Sequence, residues 1–216
     1  TMRISLFVQS NGTQMAKNYF LFTSQVYARK FGNTKETKKT NIAMQKNNYK
    51  LSKTLEGHYN SVLSASYSPD GKYIASGSKD RTIKIWNAKS GECIRTLKGH
   101  TWDVLCVAWS PNGEIIASCS ADETIKIWNA KTGDCLQTLE GHNSNINSIS
   151  FSHDNEYLIS TSDDETIKIW ELKKGNCLQT LKGHGDFSIF ASFNPNGEEI
   201  ISTSFDQTIR VWKVNE

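Results

Sequence analysis

The chain has 216 residues and a formal net charge of +3, and 37% of its residues are hydrophobic, with 10% aromatic. This length corresponds to one domain or a small pair, and the apolar content is enough to bury a core, which excludes a wholly disordered chain. The mean hydropathy is −0.51, and no apolar run approaches the roughly 18 residues that a membrane-spanning helix needs. We therefore expect no membrane span.

Charge and composition change near residue 49. Residues 1–50 carry nine Lys and Arg against one acidic residue, a net of +8, whereas residues 51–216 carry 16 against 21, a net of −5. We predict a basic, flexible N-terminal leader over residues 1–49 and a separate domain over residues 50–216. Three roles for the leader stay open: a solvated tail or remnant of an upstream segment, an organelle transit peptide, and a segment that contacts nucleic acid or an acidic membrane surface through its charge.

The domain repeats itself with a period of 42 residues. Gly-His pairs begin at Gly57, Gly99, Gly141 and Gly183, with the same spacing every time. Columns of Ser, Asp and Trp keep this period, and no residue is inserted or deleted between the units. A fixed period of this length indicates a repeat architecture in which each unit is one supersecondary element.

Each unit has the pattern of four short strands. In the second unit, apolar and polar residues alternate over Cys93–Leu97, which is followed by a Gly-His pair. Val104–Trp109 is a run of β-branched and aromatic residues, and a Ser-Pro-Asn-Gly turn follows it. Glu114–Ser118 follows, and Thr124–Trp128 comes after a tight turn. Because the strands are short and evenly spaced, and no helical period occurs after residue 50, we predict an all-β repeat fold.

Over residues 50–216 the sequence resembles the WD-repeat family of β-propellers. The motif that carries the resemblance is Gly-His, then Ser-Pro-Asp-Gly, a Ser four residues before an Asp, and a Trp six residues after it. The chain departs from the signature dipeptide, because Asn87, Asn129, Glu171 and Lys213 follow the four Trp residues where the family has Asp. The resemblance implies a β-propeller built of four-stranded antiparallel blades, one for each 42-residue repeat.

Ser, His and Asp recur together in every unit, and they are the residue types of a hydrolase triad. The resemblance implies a structural tetrad instead, in which the Trp indole bonds to Ser, Ser to His, and His to Asp. An active site is a single constellation, whereas a packing problem recurs in each blade, so the fourfold repetition favours the structural role. We predict a protein that is not an enzyme and needs no cofactor. The tetrads are His58, Ser76, Asp80 and Trp86; His100, Ser118, Asp122 and Trp128; His142, Ser160, Asp164 and Trp170; and His184, Ser202, Asp206 and Trp212.

The five cysteines lack the short spacings of a disulfide or zinc framework. Cys93, Cys135 and Cys177 share one column of the repeat, and four of the five histidines belong to the tetrads. We therefore expect no metal site and a reducing compartment, which favours the cytoplasm and leaves a nuclear or organellar location open.

The resemblance also implies a partner-binding rim on the face where the Gly-His loops and the turns before the tetrad Asp emerge. The contact positions of the family lie three and five residues after His and directly before Asp. We predict twelve rim residues from these positions, with Trp102 added as an aromatic of the same loops and Ala121 left out. They are Ser61, Leu63 and Lys79; Trp102, Asp103 and Leu105; Asn145, Asn147 and Asp163; and Phe187, Ile189 and Phe205. Exposed aromatics are typical interface anchors, although Phe187 and Ile189 would equally suit packing against a blade or the leader.

This pattern predicts a scaffold that holds other proteins or peptides on the propeller rim. The alternative is an adaptor that associates with nucleic acid or a membrane through the basic leader. The acidic repeat domain disfavours broad nucleic-acid binding, since phosphates require a basic surface.

Four repeats are few for a family that most often has seven blades. Propellers avoid exposed sheet edges by closing. Three alternatives follow: tight closure with Lys50–Leu55 as the fourth strand of the last blade, pairing of two copies into an eight-bladed ring, or membership of a longer chain. We favour a partial or self-associating propeller.

Overall fold

The structure, a computed structural model, describes residues 50–213. The predicted leader lies outside the described residues. Within the described range the chain is all β, with fifteen strands in four antiparallel sheets, which confirms the predicted fold class. No helix in this range is long and apolar enough to span a membrane.

Each sheet corresponds to one 42-residue unit, and we call the sheets blades 1 to 4. The first three blades have four strands that pair in chain order. Their bounds are β1 (Val62–Tyr67), β2 (Tyr73–Ser78), β3 (Thr82–Asn87) and β4 (Cys93–Lys98); β5 (Val104–Trp109), β6 (Ile115–Ser120), β7 (Ile125–Asn129) and β8 (Cys135–Leu139); and β9 (Ile146–Phe151), β10 (Tyr157–Ser162), β11 (Ile167–Glu171) and β12 (Asn176–Leu181). Blade 4 has three strands: β13 (Ser188–Phe193), β14 (Glu199–Ser204) and β15 (Ile209–Lys213).

The strands predicted for the second unit are all present, with ends that differ by no more than two residues. The first of them, Cys93–Lys98, is the outer strand of blade 1 and does not belong to blade 2. The hairpin turn explains one difference. Asn112 Oδ1 accepts a hydrogen bond from the Glu114 amide at 3.0 Å, and Ser110 Oγ accepts one from the Ile115 amide at 3.1 Å. These bonds hold Glu114 in the turn, so β6 begins one residue later than predicted.

The core lies between blades, not inside any one of them. The β2 and β3 residues Ala75, Ile83 and Ile85 of blade 1 cluster with Val104 and Trp109 of β5 in blade 2. Blades 2 and 3 share a second cluster of the same kind, and blades 3 and 4 share a third. Each blade therefore buries the apolar face of its second and third strands against the first strand of the next blade.

The segment Lys50–Leu55 is not a strand and does not complete blade 4. Of the three alternatives for the blade count, closure within one chain is therefore not observed among residues 50–213. The segment lies beside the turn between β3 and β4 of blade 1. The Lys53 Nζ donates hydrogen bonds to the carbonyl oxygens of Ala88, at 2.9 Å, and Lys89. Blade 4 keeps a three-stranded sheet in the described part of the chain.

We expect Ile125→Ala to lower the free energy of unfolding by about 2–5 kcal/mol, because the side chain is fully buried between blades 2 and 3. The measurement is urea unfolding followed by tryptophan fluorescence. Leu178→Ala, on the exposed side of the outer strand β12, is the control and should cost less than about 1 kcal/mol. Equal losses in the two variants would contradict a core located between the blades.

Candidate partner-binding rim

In every blade a chain of four side chains ties the loop before the first strand to the second and third strands. In blade 2 the Trp128 indole donates to Ser118 Oγ at 2.8 Å, and Ser118 Oγ lies 2.8 Å from His100 Nε2. His100 Nδ1 lies 2.8 Å from Asp122 Oδ2. One assignment satisfies all four groups: His100 Nδ1–H donates to the carboxylate, and the serine hydroxyl donates to Nε2.

The other three blades repeat this geometry. Their Trp–Ser, Ser–His and His–Asp distances all fall between 2.7 and 2.8 Å. The structure thus brings together all sixteen residues assigned to tetrads, one set in each blade.

The tetrad aspartate also holds the turn that follows it. Asp122 accepts bonds from the Thr101 amide at 2.9 Å and from the Thr124 hydroxyl at 2.7 Å. Burial alone would raise the pKa of Asp122, but the bonds from His100, Thr124 and Thr101 outweigh burial and hold the pKa well below its ordinary value. The pKa of Asp164 is lowered in the same way by His142 and Thr166.

The glycine before each tetrad histidine is required by space and backbone geometry. Gly99 has a φ of 158°, and a Cβ built on it would lie 3.1 Å from Cη2 of Trp128. A larger residue would therefore displace the indole that begins the hydrogen-bond chain.

The tetrad serines are enclosed in the fold. Ser118, Ser160 and Ser202 are fully buried, and each hydroxyl is held between an indole and an imidazole. No serine of a tetrad is open to a substrate, which supports the structural role over the hydrolase triad. Across residues 50–213, no three His, Cys, Asp or Glu side chains are grouped to hold a metal ion.

The rim positions occur as pairs, one pair in each blade. The amide of the residue before the tetrad Asp donates to the carbonyl of the residue three after His, at 2.9 to 3.1 Å. The pairs are Ser61 and Lys79, Asp103 and Ala121, Asn145 and Asp163, and Phe187 and Phe205. The backbone of the rim is therefore constant from blade to blade, while the side chains differ.

The third rim position, five residues after His, is the extra residue of a β-bulge in every blade. The bulge residues are Leu63, Leu105, Asn147 and Ile189, each flanked by a shift in the pairing of the first two strands. Bulges re-aim a side chain relative to the sheet. Leu63 and Ile189 are half-buried, whereas Leu105 and Asn147 are buried.

Three of the predicted rim positions, Leu105, Asn147 and Asp163, are buried, so the prediction that they are open to a partner is wrong. Asp163 accepts hydrogen bonds from the side-chain amides of Asn145 at 3.0 Å and Asn147 at 2.8 Å. Asn147 also donates to the carbonyl of Ser188 in blade 4, at 2.9 Å. These polar groups satisfy one another where blades 3 and 4 meet, and Leu105 is also buried.

Aromatic side chains remain exposed on the same loops. Trp102 is 62% exposed and Phe205 is 56% exposed. The rings of Phe187 and Phe205 lie 6.2 Å apart, so the half-buried Phe187 supports the exposed Phe205. Sequence reasoning missed Tyr59, which is 94% exposed directly after the tetrad His58. Its place beside Gly-His, one residue before the position equivalent to Trp102, is the signal that could have found it.

The charged rim residues bridge neighbouring blades. Lys79 Nζ of blade 1 lies 3.9 Å from Asp103 Oδ2 of blade 2, and both side chains are partly exposed. A pair this exposed contributes little stability, and both charges are accessible to a bound partner.

A family model described as "WDR3 first beta-propeller domain" matches residues 39–214. This match spans most of the chain, includes every tetrad and agrees with the antiparallel sheets and the repeated Trp–Ser–His–Asp geometry. The chain belongs to the WD-repeat β-propeller family. The resemblance seen in the sequence is thereby confirmed.

Curated relatives share single repeats with this WD-repeat chain. The vegetative incompatibility protein HET-E-1 of Podospora anserina is 63% identical over 38 residues, which are 18% of this chain and 3% of the relative. The periodic tryptophan protein 2 homolog of Mus musculus is 50% identical over 38 residues, 18% of this chain and 4% of the relative. The ribosome biogenesis protein BOP1 homolog of Drosophila virilis is 54% identical over 39 residues, 18% of this chain and 5% of the relative. The matched segments thus span no more than 5% of the length of these relatives.

We expect Ser118→Ala to destabilise the fold by about 1–3 kcal/mol, because it leaves the Trp128 indole without its acceptor and His100 without its donor. Urea unfolding measures the loss. A matched control is Ser90→Ala, an exposed serine in the turn before β4. A Ser118→Ala protein that stays as stable as the control but loses a measurable ester hydrolysis would contradict the structural role.

The tetrad aspartates also predict acid sensitivity. The unfolded chain takes up protons near the ordinary aspartate pKa of about 3.9, whereas the folded chain keeps these carboxylates ionised to lower pH. Below about pH 4 the unfolded state therefore binds more protons, and the free energy of unfolding falls as the pH falls. Asp122→Asn should flatten this decline, measured by urea unfolding between about pH 3 and pH 7. Asp134→Asn, at an exposed aspartate outside the tetrads, should leave the decline unchanged.

Proposed function

We propose that this WD-repeat chain is a non-catalytic scaffold that holds protein partners on the rim of paired positions. The observation that carries the proposal is the aromatic pair Phe187 and Phe205, which stands where the other blades have small or polar pairs. A constant backbone that presents different side chains is suited to recognition, because it fixes position while the contact chemistry varies.

Preorganisation supports the same conclusion. The tetrad hydrogen bonds hold both segments that make each rim pair, namely the loop after the tetrad His and the turn at the tetrad Asp. A partner that binds here orders few flexible groups, so little conformational entropy is lost on association.

The exposed rings supply the contact area. Three aromatic residues lie on the loops of three different blades and are each more than half exposed, namely Trp102, Phe205 and Tyr59. Large aromatic side chains are enriched among the residues that contribute most to protein–protein affinity. Asp103 and Lys79 add charges of both signs to the rim, which suits a polypeptide partner.

Charge also favours a protein partner over nucleic acid. Residues 51–216 have a net charge of −5, and a phosphate backbone would be repelled by that surface. We therefore place the leader-driven adaptor second. One context for the scaffold is ribosome biogenesis, the process in the name of the Drosophila relative, and this context agrees with the nuclear location that the sequence leaves open.

The test compares single variants of the immobilised chain as baits in an extract of the cells that express it. We expect Phe205→Ala and Trp102→Ala each to reduce the amount of co-purified partner about tenfold, with nearly unchanged melting temperature. Mass spectrometry quantifies the captured proteins, and circular dichroism measures the melting.

Ile94→Ala is the matched control, since Ile94 is an exposed apolar residue of β4 on the outer strand of blade 1. It should capture the same proteins as the unchanged chain. Equal capture by all variants would place partner binding elsewhere. A large fall in the melting temperature of Phe205→Ala would assign that ring to the core.

A further inference from the structure

Blade 4 exposes an apolar face that the other blades bury. Ile209 is 73% exposed and Val211 is 56% exposed, and Ile201 is also exposed. The residues at the same repeat positions in blade 2 are Ile125, Ile127 and Ala117, and all three are buried in the cluster shared with blade 3. The exposed face of blade 4 therefore corresponds to one half of an interface between consecutive blades, and no residue in the range 50–213 supplies the other half.

Blade 1 exposes that other half. Val62, Ala65 and Tyr67 of β1 are exposed. Their equivalents in β5 are Val104, Val107 and Trp109, which are buried against the second and third strands of blade 1. Blades 4 and 1 thus carry complementary halves of an interface that occurs three times among residues 50–213.

The segment Lys50–Leu55 already occupies the place of an outer strand relative to blade 1. Lys53 donates to carbonyls in the turn between β3 and β4. One repeat later, Arg95 of β4 donates to the Lys131 carbonyl at 2.8 Å in the corresponding turn of blade 2. A further repeat later, Gln137 of β8 donates to Leu172 at the start of the corresponding turn of blade 3. Lys53 therefore makes the contact that the fourth strand of a preceding blade makes, although no preceding blade is present among the described residues.

The side chains at the free edge of blade 4 match this segment. In the first three blades a lysine of the third strand donates to a threonine of the fourth strand, at 2.8 to 2.9 Å. Arg210 holds the lysine position in blade 4, and within residues 50–213 its buried Nε has no hydrogen-bond partner. Thr54 holds the threonine position, 42 residues before Thr96.

We propose that blade 4 binds blade 1 of a second copy of this chain, and that residues 50–55 of that copy become the fourth strand of blade 4. The register follows from the pairing of β3 with β4. Ile209 then pairs with Leu55, Arg210 with Thr54, and Val211 with Lys53. The exposed faces of the two blades pack together in the same step.

A second copy covers the exposed faces of blade 4 and blade 1 at the same time. The interface is head-to-tail, and two identical contacts close two chains into one ring. That ring has eight blades, which lies within the range of known propellers, and it leaves no sheet edge unpaired.

The first test is the mass of the 216-residue chain in solution at micromolar concentration, by light scattering. We expect twice the 24.3 kDa of one chain. Val211→Glu places a charge in both contacts and should raise the dissociation constant at least about a hundredfold. The matched control, Leu178→Glu, changes an equally exposed apolar residue on the outer strand of blade 3 and should remain a dimer. A single-chain mass for the unchanged protein would overturn the proposal.

A cysteine trap tests the register and does not depend on a disruptive variant. The background carries Cys93→Ser, Cys135→Ser and Cys177→Ser, which removes the exposed thiols. One protein carries Leu55→Cys and another Ile209→Cys, and the two are refolded together and oxidised. We expect disulfide-linked pairs from the mixture and none from either protein alone.

No linkage in the mixture would overturn the proposed register. A chain that carries both changes and forms an internal disulfide as a monomer would show closure within one copy, which would also overturn the proposal. Neither result would test the proposed scaffold function, because the Phe205→Ala and Trp102→Ala variants are measured by the amount of partner they capture.

Discussion

The rest of the structure depends on burial of apolar surface between consecutive blades. A single blade of three or four short strands has no core of its own, so the isoleucines of its second and third strands are buried only when the next blade covers them. The same columns of the repeat that form the core, such as Ile83, Ile125 and Ile167, become an exposed face at Ile209. The stability of the fold and the proposed binding of a second copy thus depend on the same repeated interface.

The tetrads add order to this packing. A buried indole, hydroxyl and imidazole would each destabilise the fold if unpaired, and the four-residue chain satisfies them together. Each series of tetrad hydrogen bonds ends at an aspartate such as Asp122. That aspartate also fixes the turn that carries one residue of the rim pair, the residue directly before it. The Ser, His and Asp residues that look like a catalytic triad in the sequence therefore hold the backbone of the rim, whose side chains differ from blade to blade. This connects the fold to the proposed scaffold.

The repeat made most of the fold predictable, because a column of identical residues reports an identical environment. The strands, the Gly-His loops and the composition of every tetrad could be predicted from spacing and from the family resemblance. The rim was harder. Spacing placed the candidate positions beside the tetrad His and Asp, but Leu105, Asn147 and Asp163 are buried, and burial does not follow from spacing. Tyr59 was missed because it lies outside the contact positions of the family, although it is the most exposed aromatic of the loops.

The sequence by itself determined the all-β class, the 42-residue unit and the residues that recur in each blade, because these follow from local pattern and period. Only the tertiary structure decided which residues are buried and which strands pair at positions that the repeat does not fix. Lys50–Leu55 has the sequence of an outer strand, yet it lies against blade 1, and within the described part of the chain the third strand of blade 4 has no fourth strand beside it. Burial depends on which blade covers a residue. Ile125 and Ile209 hold the same position of the repeat, yet Ile125 is buried and Ile209 is exposed, and the period alone does not distinguish them.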